Sequence, residues 1–263
     1  LNIFSYKKCF IAIESDTQLL IPENYLARAI KYCYLTFLFK NKYVIGFAGG
    51  NYSHKDLFIY YGMRKEQIFL MPMMVDNMKF YQKEKLLPKV FTFLYVGRLV
   101  KIKNIESLIE QFNKIFCGKK AILKIVGGGN EEEYLKNKYA SNQVLFLGKL
   151  FDDDLIVEFQ KSSCFVFPTK FEPWGLVVNE ALSSGLPIIT TKIVGANNDL
   201  IKGKETGIIA LNMEDFGHQM LKLYNNPAML MRFSKKATHY MRNHWNYALY
   251  IKCMNNVIKH LHI

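Results

Sequence analysis

The stretch CFVFPTKFEPWGLVVNEALSSGLPIIT, residues 164–190, decides the fold of the middle of the chain. Two apolar runs, CFVF (164–167) and PIIT (187–190), enclose a segment with helical spacing, Gly175 to Ser184. Strands that are apolar along their whole length and are joined through a helix are typical of a parallel sheet covered on both faces. The stretch therefore predicts a strand–helix–strand unit.

The same alternation extends to both sides of this unit. The predicted strands are FTFLYV (91–96), AILKIV (121–126), QVLFL (143–147), CFVF (164–167), PIIT (187–190) and GIIA (207–210). The predicted helices between them are Asn104 to Phe116, Glu131 to Lys138, Asp152 to Lys161 and Gly175 to Ser184. This order predicts an α/β fold with a doubly wound, Rossmann-like parallel sheet that begins near residue 90.

Weaker patterns flank the predicted sheet. Residues 1–80 predict a partial domain, with a helix from Tyr25 to Phe39 and strands at 43–48 and 67–75. The charged segment KFYQKEKLLPK (79–89) is typical of an interdomain linker. Three further helices are predicted at Met213 to Tyr224, Ala228 to Arg242 and Tyr247 to Leu261.

Composition excludes several classes of protein. Half of the 263 residues are hydrophobic, which supplies a core and argues against disorder. The densest apolar run, YCYLTFLF (32–39), is far shorter than the roughly 20 residues of a membrane span. No signal peptide is recognised either.

The five cysteines form no CxxC pair, so we predict that they are reduced, small buried residues of an intracellular protein.

The net charge of +13 is unevenly placed. Residues 1–90 carry an excess of six positive charges, residues 91–212 of two, and residues 213–263 of five. The basic excess therefore lies at the two ends of the chain. Such charge suits nucleic acid, an anionic membrane surface or an anionic substrate, and it equally suits a solvated basic surface.

The segment YVGRLVKIKN (95–104) is the first candidate site. A strand ends at Val96, and a helix begins near Asn104, so Gly97, Arg98 and Lys103 fall in the turn between them. Ligands of open α/β sheets bind at the carboxyl ends of the strands. Two cations at such a turn suit a diphosphate, although a pair of exposed loop cations would have the same pattern.

Two further turns follow the next strands. VGGGNEEE (126–133) lacks the GxGxxG and GK[ST] spacings, and its acids would repel a phosphate. We interpret it as a tight turn against a ligand or a neighbouring loop, although an ordinary flexible turn would have the same pattern. FDDD (151–154) has Asp152 as the candidate N-cap of a helix. Adjacent helical residues diverge, so we interpret these aspartates as a solvated first turn and predict no metal site.

Glu172 and Glu180 form the second candidate site. Glu172 falls in the loop after the strand CFVF, and Glu180 in the second turn of the helix that begins near Gly175. The first N–H groups of that helix, near Leu176 and Val177, are free to bind an anion. The two carboxylates could accept hydroxyls of two sugars while the amides hold the phosphates that join them. An isolated pair with this spacing is, however, more often one acid at a helix N-terminus and one solvated acid.

Taken together, these motifs resemble those of a known family. The segments YVGRLVKIKN, KIVGGGNEEE, VLFLGKL and FPTKFEPWGLVVNEALSSGLPIITT follow one another as in the retaining nucleotide-sugar glycosyltransferases of family 4, which have the GT-B fold. The resemblance is strong over residues 90–212 and weaker over 43–78. It implies a complete C-terminal Rossmann-like domain and an incomplete N-terminal, acceptor-side domain.

The resemblance also implies roles for individual residues. Arg98 and Lys103 would bind the donor diphosphate, next to Gly97. Glu172 would contact the transferred sugar and Glu180 the ribose. The remaining implied contacts are the helix start at Gly175, Leu176 and Val177 for the phosphates and Leu150 for the base. No metal and no cofactor beyond the nucleotide-diphosphate sugar is expected.

The domain limits that follow are 1–80 for the partial N-terminal domain, 90–242 for the donor-binding domain, and 243–263 for a C-terminal helix that returns to the first domain. The expected enzyme transfers a hexose to a saccharide or lipid-linked acceptor in cell-envelope polysaccharide synthesis. It would be cytoplasmic, at an anionic inner membrane surface, with no nucleic acid partner.

The alternative is a fragment that binds the nucleotide sugar without catalysis. A dinucleotide-dependent oxidoreductase is excluded because no GxGxxG follows the first strand.

Overall fold

The computed structural model describes residues 9–82 and 88–261. The first elements along the chain are β1 (Ile11–Ser15), α1 (Tyr25–Phe39), β2 (Val44–Ala48), α2 (Ser53–Tyr60), β3 (Ile68–Leu70) and α3 (Asn77–Phe80). They are followed by β4 (Phe91–Val96), α4 (Ile105–Phe116), β5 (Ala121–Val126), α5 (Glu132–Tyr139), β6 (Val144–Gly148), α6 (Asp152–Lys161) and β7 (Cys164–Phe167). The last are α7 (Leu176–Ser183), β8 (Ile188–Thr191), β9 (Gly207–Ala210), α8 (Met213–Tyr224), α9 (Pro227–Asn243) and α10 (Tyr247–Leu261).

Contacts between Cα atoms divide the chain into two units. The first unit is Leu1–Met73 together with Tyr247–Ile263, and the second is Met74–Asn246. Within residues 9–82 and 88–261, none of the helices combines the length and the hydropathy that crossing a bilayer requires.

The first unit contains a parallel sheet in the order β1–β2–β3. Side chains of a strand alternate between its two faces. On one face, Val44 and Ala48 of β2 pack in a cluster with Phe39 of α1 and Phe58 of α2. On the other face, Ile45 of β2 packs in a cluster with Val257 of α10. The C-terminal helix thus covers the face of the sheet that α1 and α2 leave open.

The second unit contains a six-stranded sheet in the order β6–β5–β4–β7–β8–β9, and all five strand pairs are parallel. Relative to the order in the chain this is 3-2-1-4-5-6, the order of Rossmann-like sheets. Its central strands are almost entirely buried, which explains why their sequences are apolar throughout. The predicted doubly wound parallel α/β domain is confirmed.

This strand order has a switch point between β4 and β7. The chain proceeds from β4 outward to β5 and β6, then returns to pair β7 on the other side of β4. The connections that follow β4 and β7 therefore leave the sheet in opposite directions, and a crevice opens between them. Both candidate sites of the sequence lie in these two connections.

Several predicted elements differ from the structure. The strand expected over residues 67–75 is limited to β3, although the N–H groups of Met71 and Met73 still donate to the carbonyls of Ala48 and Gly49 at 2.9 Å. β1, α2 and α3 were not predicted. Asp152 is not the N-cap of α6: Phe151 occupies that position, and the exposed carboxylates of Asp152, Asp153 and Asp154 lie in the first turn, where they complement the helix dipole.

The linker proposed over residues 79–89 lies partly outside the described residues, at 83–87, and its first two residues belong to α3. The prediction that each cysteine is buried holds for Cys164 and is wrong for Cys9, Cys33 and Cys117, which are exposed, while Cys253 is half-buried. Cys33 lies on an outward face of α1, and Cys117 directly follows the last residue of α4.

Candidate functional site

Lys103 and Glu172 meet at the switch point of the second sheet. Lys103 ends a short 3₁₀ turn after β4, and Glu172 lies in the loop after β7. The Lys103 ammonium donates to the Glu172 carboxylate, and both side chains are largely buried. The ammonium also lies over the Phe167 ring, 5.4 Å from its centroid. The structure therefore brings together a cation and an acid that lie 69 residues apart in the sequence.

Arg98 extends from the turn directly after β4 and is exposed. The turn is fixed by the adjacent glycine loop: Leu99 N–H donates to the Gly128 carbonyl at 2.9 Å, and Gly97 N–H donates to the Val126 carbonyl at 3.0 Å. A Cβ atom on Gly129 would lie 2.2 Å from the Leu99 carbonyl oxygen, so only glycine permits this approach. The segment VGGGN is thus a tight turn against a neighbouring loop, as one of the interpretations given above predicts.

The loop of Glu172 is bonded to the connection that follows β8. Glu172 N–H donates to the Ile193 carbonyl at 3.2 Å, and Gly195 N–H donates to the Glu172 carbonyl at 3.1 Å. Lys170 N–H donates to the Ile102 carbonyl at 2.8 Å, which ties the same loop to the turn of Lys103. The backbone thereby fixes Glu172 from two sides.

Gly175 connects this loop to α7. Its φ of 93° lies in the left-handed region, which favours glycine, and a Cβ atom there would lie 3.1 Å from Cγ of Glu172. The helix begins with Leu176 and Val177, whose N–H groups precede the first intrahelical bonds and are available to an anion. The side chain of Glu172 therefore lies next to a helix N-terminus.

Glu180 lies in the second turn of α7 and is half-buried. Burial raises the pKa of its carboxyl group above the usual range of a glutamate. Among the described residues, its carboxylate has neither a hydrogen-bond partner nor an ion-pair partner. A half-buried acid without a protein partner and with a raised pKa is a candidate for a binding or catalytic site.

Leu150 is set apart from the other candidates. It follows β6, the edge strand, and β5 separates that strand from β4. Its connection still adjoins the glycine loop, because Gly127 N–H donates to the Gly148 carbonyl at 2.7 Å. The loops after β4, β5 and β6 therefore form one continuous edge.

Two aromatic features of the site were missed by sequence reasoning. Trp174 is buried beside Gly175, stacks on Trp245 with ring centroids 5.4 Å apart, and donates its indole N–H to Asn179 at 2.9 Å. Tyr95 is buried beneath the turn of Arg98 and donates its hydroxyl to the Arg98 carbonyl at 3.0 Å. Aromatic residues in apolar runs predict core packing, so the sequence carries no signal for these contacts.

Comparison with known proteins identifies the family. Residues 76–240, well over half of the chain, match the model of the glycosyl transferases group 1 family. The capsular polysaccharide biosynthesis glycosyltransferase CapM of Staphylococcus aureus is 37% identical over 144 residues, which cover 51% of this chain and 37% of that protein. Mannosylfructose-phosphate synthase of Agrobacterium fabrum is 25% identical over 207 residues, which cover 70% of this chain and 45% of that protein. The chain thus spans less than half the length of these curated relatives.

The fold also has solved counterparts. The crystal structure of Alr3699/HepE from Anabaena in complex with UDP superposes with a TM-score of 0.80 at 15% identity, covering 97% of this chain and 74% of that chain. At this level of identity the likeness shows the fold alone, and the fold is the GT-B fold expected from the sequence. The chain belongs to the glycosyl transferases group 1 family.

Proposed function

We propose that the second unit binds a nucleotide-diphosphate sugar, and that the protein transfers a hexose from it to a saccharide or lipid-linked acceptor with retention of the anomeric configuration. The observation that carries this proposal is the buried Lys103–Glu172 pair at the switch point of the sheet. One crevice there offers a cation for a diphosphate and an acid for a sugar hydroxyl. Membership of the glycosyl transferases group 1 family supports a transferase rather than another nucleotide-binding protein.

Each candidate residue has a role in this proposal. Arg98 and Lys103 bind the diphosphate, and the first N–H groups of α7, at Leu176 and Val177, assist them from the other side of Gly175. Gly97 allows the turn of Arg98 to approach the ligand. The remaining contacts are Glu172 to the transferred sugar, Glu180 to the ribose and the Leu150 backbone to the base.

The chemical step needs stabilisation of the leaving group. As the bond between C1 of the sugar and the diphosphate breaks, negative charge grows on the departing phosphate oxygens. Arg98 and Lys103 lie where fixed positive charge would stabilise that transition state more than the ground state. The proposal includes no metal ion and no cofactor beyond the donor.

The biological setting is part of the same proposal. CapM is named for capsular polysaccharide biosynthesis, and HepE was crystallised with UDP. By analogy, we place this protein in cell-envelope polysaccharide synthesis, with a UDP-type donor, in the cytoplasm at the inner face of the plasma membrane. The net charge of +13 is suited to an anionic membrane surface.

A second candidate function is nucleotide-sugar binding without transfer. It is favoured by one observation: all nine candidate site residues lie in the second unit. Transfer of sugar from a bound donor to any acceptor would decide against it.

The test begins with calorimetric titration of UDP into the wild-type chain and into Arg98→Ala and Lys103→Ala. Each substitution removes a counter-charge of the diphosphate, so we expect UDP to bind roughly tenfold or more weakly in each. Lys101→Ala is the matched control, because Lys101 is an exposed lysine in the same turn as Lys103. Wild-type affinity in both site variants would contradict the proposed donor site.

Transfer is measured separately, with radiolabelled UDP-glucose and saccharide or lipid-linked acceptors. Incorporation of label, with loss in Lys103→Ala, supports the enzyme. Retention is checked by the anomeric configuration of the product. UDP binding without transfer to any acceptor supports the second candidate.

A further inference from the structure

Tyr95 connects both strands of the switch point to the turn that carries Arg98. It is the fifth residue of β4, and its side chain is fully buried. Its ring stacks on Phe167 of β7 with centroids 6.3 Å apart. Its hydroxyl donates to the Arg98 backbone carbonyl at 3.0 Å. One side chain thus anchors the turn to the two central strands β4 and β7.

The turn has little freedom to adopt another position. A Cβ atom on Gly97 would lie 2.7 Å from the Tyr95 hydroxyl oxygen, so that hydroxyl fills the space beneath the turn. The glycine loop holds Leu99, because the Leu99 carbonyl accepts a hydrogen bond from Glu131 N–H at 3.0 Å. The backbone at positions 97–99 is therefore held by the Tyr95 hydroxyl and by the backbone of the glycine loop. The Arg98 side chain remains exposed to solvent.

The Tyr95 hydroxyl also stays protonated near neutral pH. Burial raises the pKa of Tyr95, and the negative charge of Glu172 raises it further, while Arg98 lowers it by a smaller amount. The hydroxyl is consequently a permanent donor to the Arg98 carbonyl.

We propose that Tyr95 is a positioning residue that presets Arg98 for the diphosphate. Its hydroxyl fixes the backbone of the turn, so that the guanidinium is directed to the crevice before the ligand arrives and loses less conformational entropy on binding. The inference rests on the proposed function, since it needs Arg98 to contact the donor diphosphate.

The test compares two substitutions that remove the same kind of hydrogen bond. Tyr95→Phe retains the ring and loses the bond to the Arg98 carbonyl. Tyr240→Phe is the matched control, because the Tyr240 hydroxyl donates to the Asp199 carbonyl at 2.9 Å and neither residue belongs to the proposed donor site. Both variants, the wild type, Arg98→Ala and the double variant Tyr95→Phe/Arg98→Ala are titrated with UDP and with pyrophosphate.

We expect Tyr95→Phe to weaken both ligands by about three- to tenfold, the effect of one lost hydrogen bond. Tyr240→Phe should remain within about twofold of the wild type. The decisive comparison is the double variant, which should bind as weakly as Arg98→Ala alone, because a residue that acts through Arg98 has nothing left to position. A merely structural role of Tyr95 would weaken binding in both backgrounds.

Three results would overturn the inference while the proposed function stands: wild-type affinity in Tyr95→Phe, additive losses in the double variant, or a melting temperature of Tyr95→Phe far below that of Tyr240→Phe. A wild-type chain that does not bind UDP would overturn the proposed function, and the inference with it. A chain that binds UDP with no loss in Arg98→Ala would overturn the role of Arg98 and hence that of Tyr95.

Discussion

Lys103 is a buried cation whose charge is balanced inside the protein. The residue is 8% exposed, and its ammonium pairs with Glu172. An ammonium removed from water costs several kcal/mol unless a partner compensates it. A diphosphate that enters the crevice must therefore share or replace the Glu172 carboxylate as the partner of Lys103. We propose that such an exchange would free Glu172 for the hydroxyls of the transferred sugar.

Glu180 differs, because its burial is not compensated within the described residues. The raised pKa means that folding favours the protonated carboxyl, so the stability contributed by this group is present at low pH and is lost as pH rises through the folded-state pKa. Above the folded-state pKa the charged carboxylate opposes folding. We predict that Glu180→Gln melts at a higher temperature than the wild type at pH 7, and that the difference disappears near pH 4.

The same substitution should weaken the ligand. A ribose hydroxyl that donates to a carboxylate forms a charge-assisted bond, so we expect Glu180→Gln to bind UDP about tenfold more weakly while pyrophosphate affinity changes little. Glu133→Gln, at an exposed acid of α5, is the control for both measurements. A Glu180→Gln variant that is less stable at pH 7, or that loses UDP and pyrophosphate equally, would contradict the assignment.

From the sequence, Lys103 and Glu172 could be placed near the ligand-binding edge of the sheet, but their ion pair could not be predicted. Lys103 and Glu172 both follow apolar strands, which places them at one edge of a parallel sheet. Their direct contact depends on β7 lying next to β4, and hence on the strand order, which alternation alone does not determine. The burial of Glu180 and the hydrogen bond of Tyr95 depend on packing across strands. A single sequence does not show which residues pack against each other in this way.

At the scale of elements, the site depends on the loops after β4 and β5 lying in contact. Gly127 and Gly129 make this possible, because added Cβ atoms would lie 1.9 Å and 2.2 Å from the carbonyl oxygens of Gly97 and Leu99. Backbone atoms cannot yield at such distances without moving the whole turn. The neighbouring Gly128 would meet flexible ends instead, those of the Lys149 and Glu132 side chains, at 2.6 Å and 2.9 Å.

This contrast leads to a prediction for two adjacent positions. Gly129→Ala should displace the turn of Arg98, lower the free energy of unfolding by about 1–3 kcal/mol and weaken UDP at least tenfold. Gly128→Ala should cost less than about 1 kcal/mol and retain UDP affinity, because the side chains it meets can move aside. Urea unfolding and calorimetry on both variants provide the measurement. Equal behaviour of the two variants would show that the loops do not depend on each other.

The central strands, which are buried along their length, were predictable from the sequence. Short elements with exposed positions were not. β4, β5 and β7 have the bounds that their apolar runs predict, since both faces of a central parallel strand are covered. The edge strand β9 also has its predicted bounds, although it is only partly buried. The short β1 alternates between half-buried and exposed positions and ends in polar residues, and α2 spans only eight residues. Such segments acquire their structure from neighbours, here β2 and its cluster.

At the scale of the whole molecule, the last helix closes the core of the first unit. Val257 of α10 is 4% exposed and packs in a cluster with Ile45 and Met71 of the first unit. A three-stranded sheet of this size has a small core, so covering its second face matters for its stability. The candidate donor site, by contrast, is built entirely from residues 74–246.

We therefore predict that the two units respond differently to one substitution. Val257→Asp places a charge in the small core and should destabilise the first unit by about 3 kcal/mol or more, while UDP affinity of the second unit stays within about twofold of the wild type. Ile258→Asp is the matched control, because Ile258 is the adjacent residue of α10 and is 42% exposed.

The chain provides a convenient way to separate the two responses. Its two tryptophans, Trp174 and Trp245, both belong to the second unit, so intrinsic tryptophan fluorescence follows that unit, and hydrogen exchange over β2 follows the first. In Val257→Asp, exchange over β2 should accelerate while the fluorescence transition in urea keeps its midpoint. Simultaneous loss of both signals and of UDP binding would mean that the donor site requires the folded first unit. In that case the small three-stranded unit would be part of the binding machinery as well as of the fold.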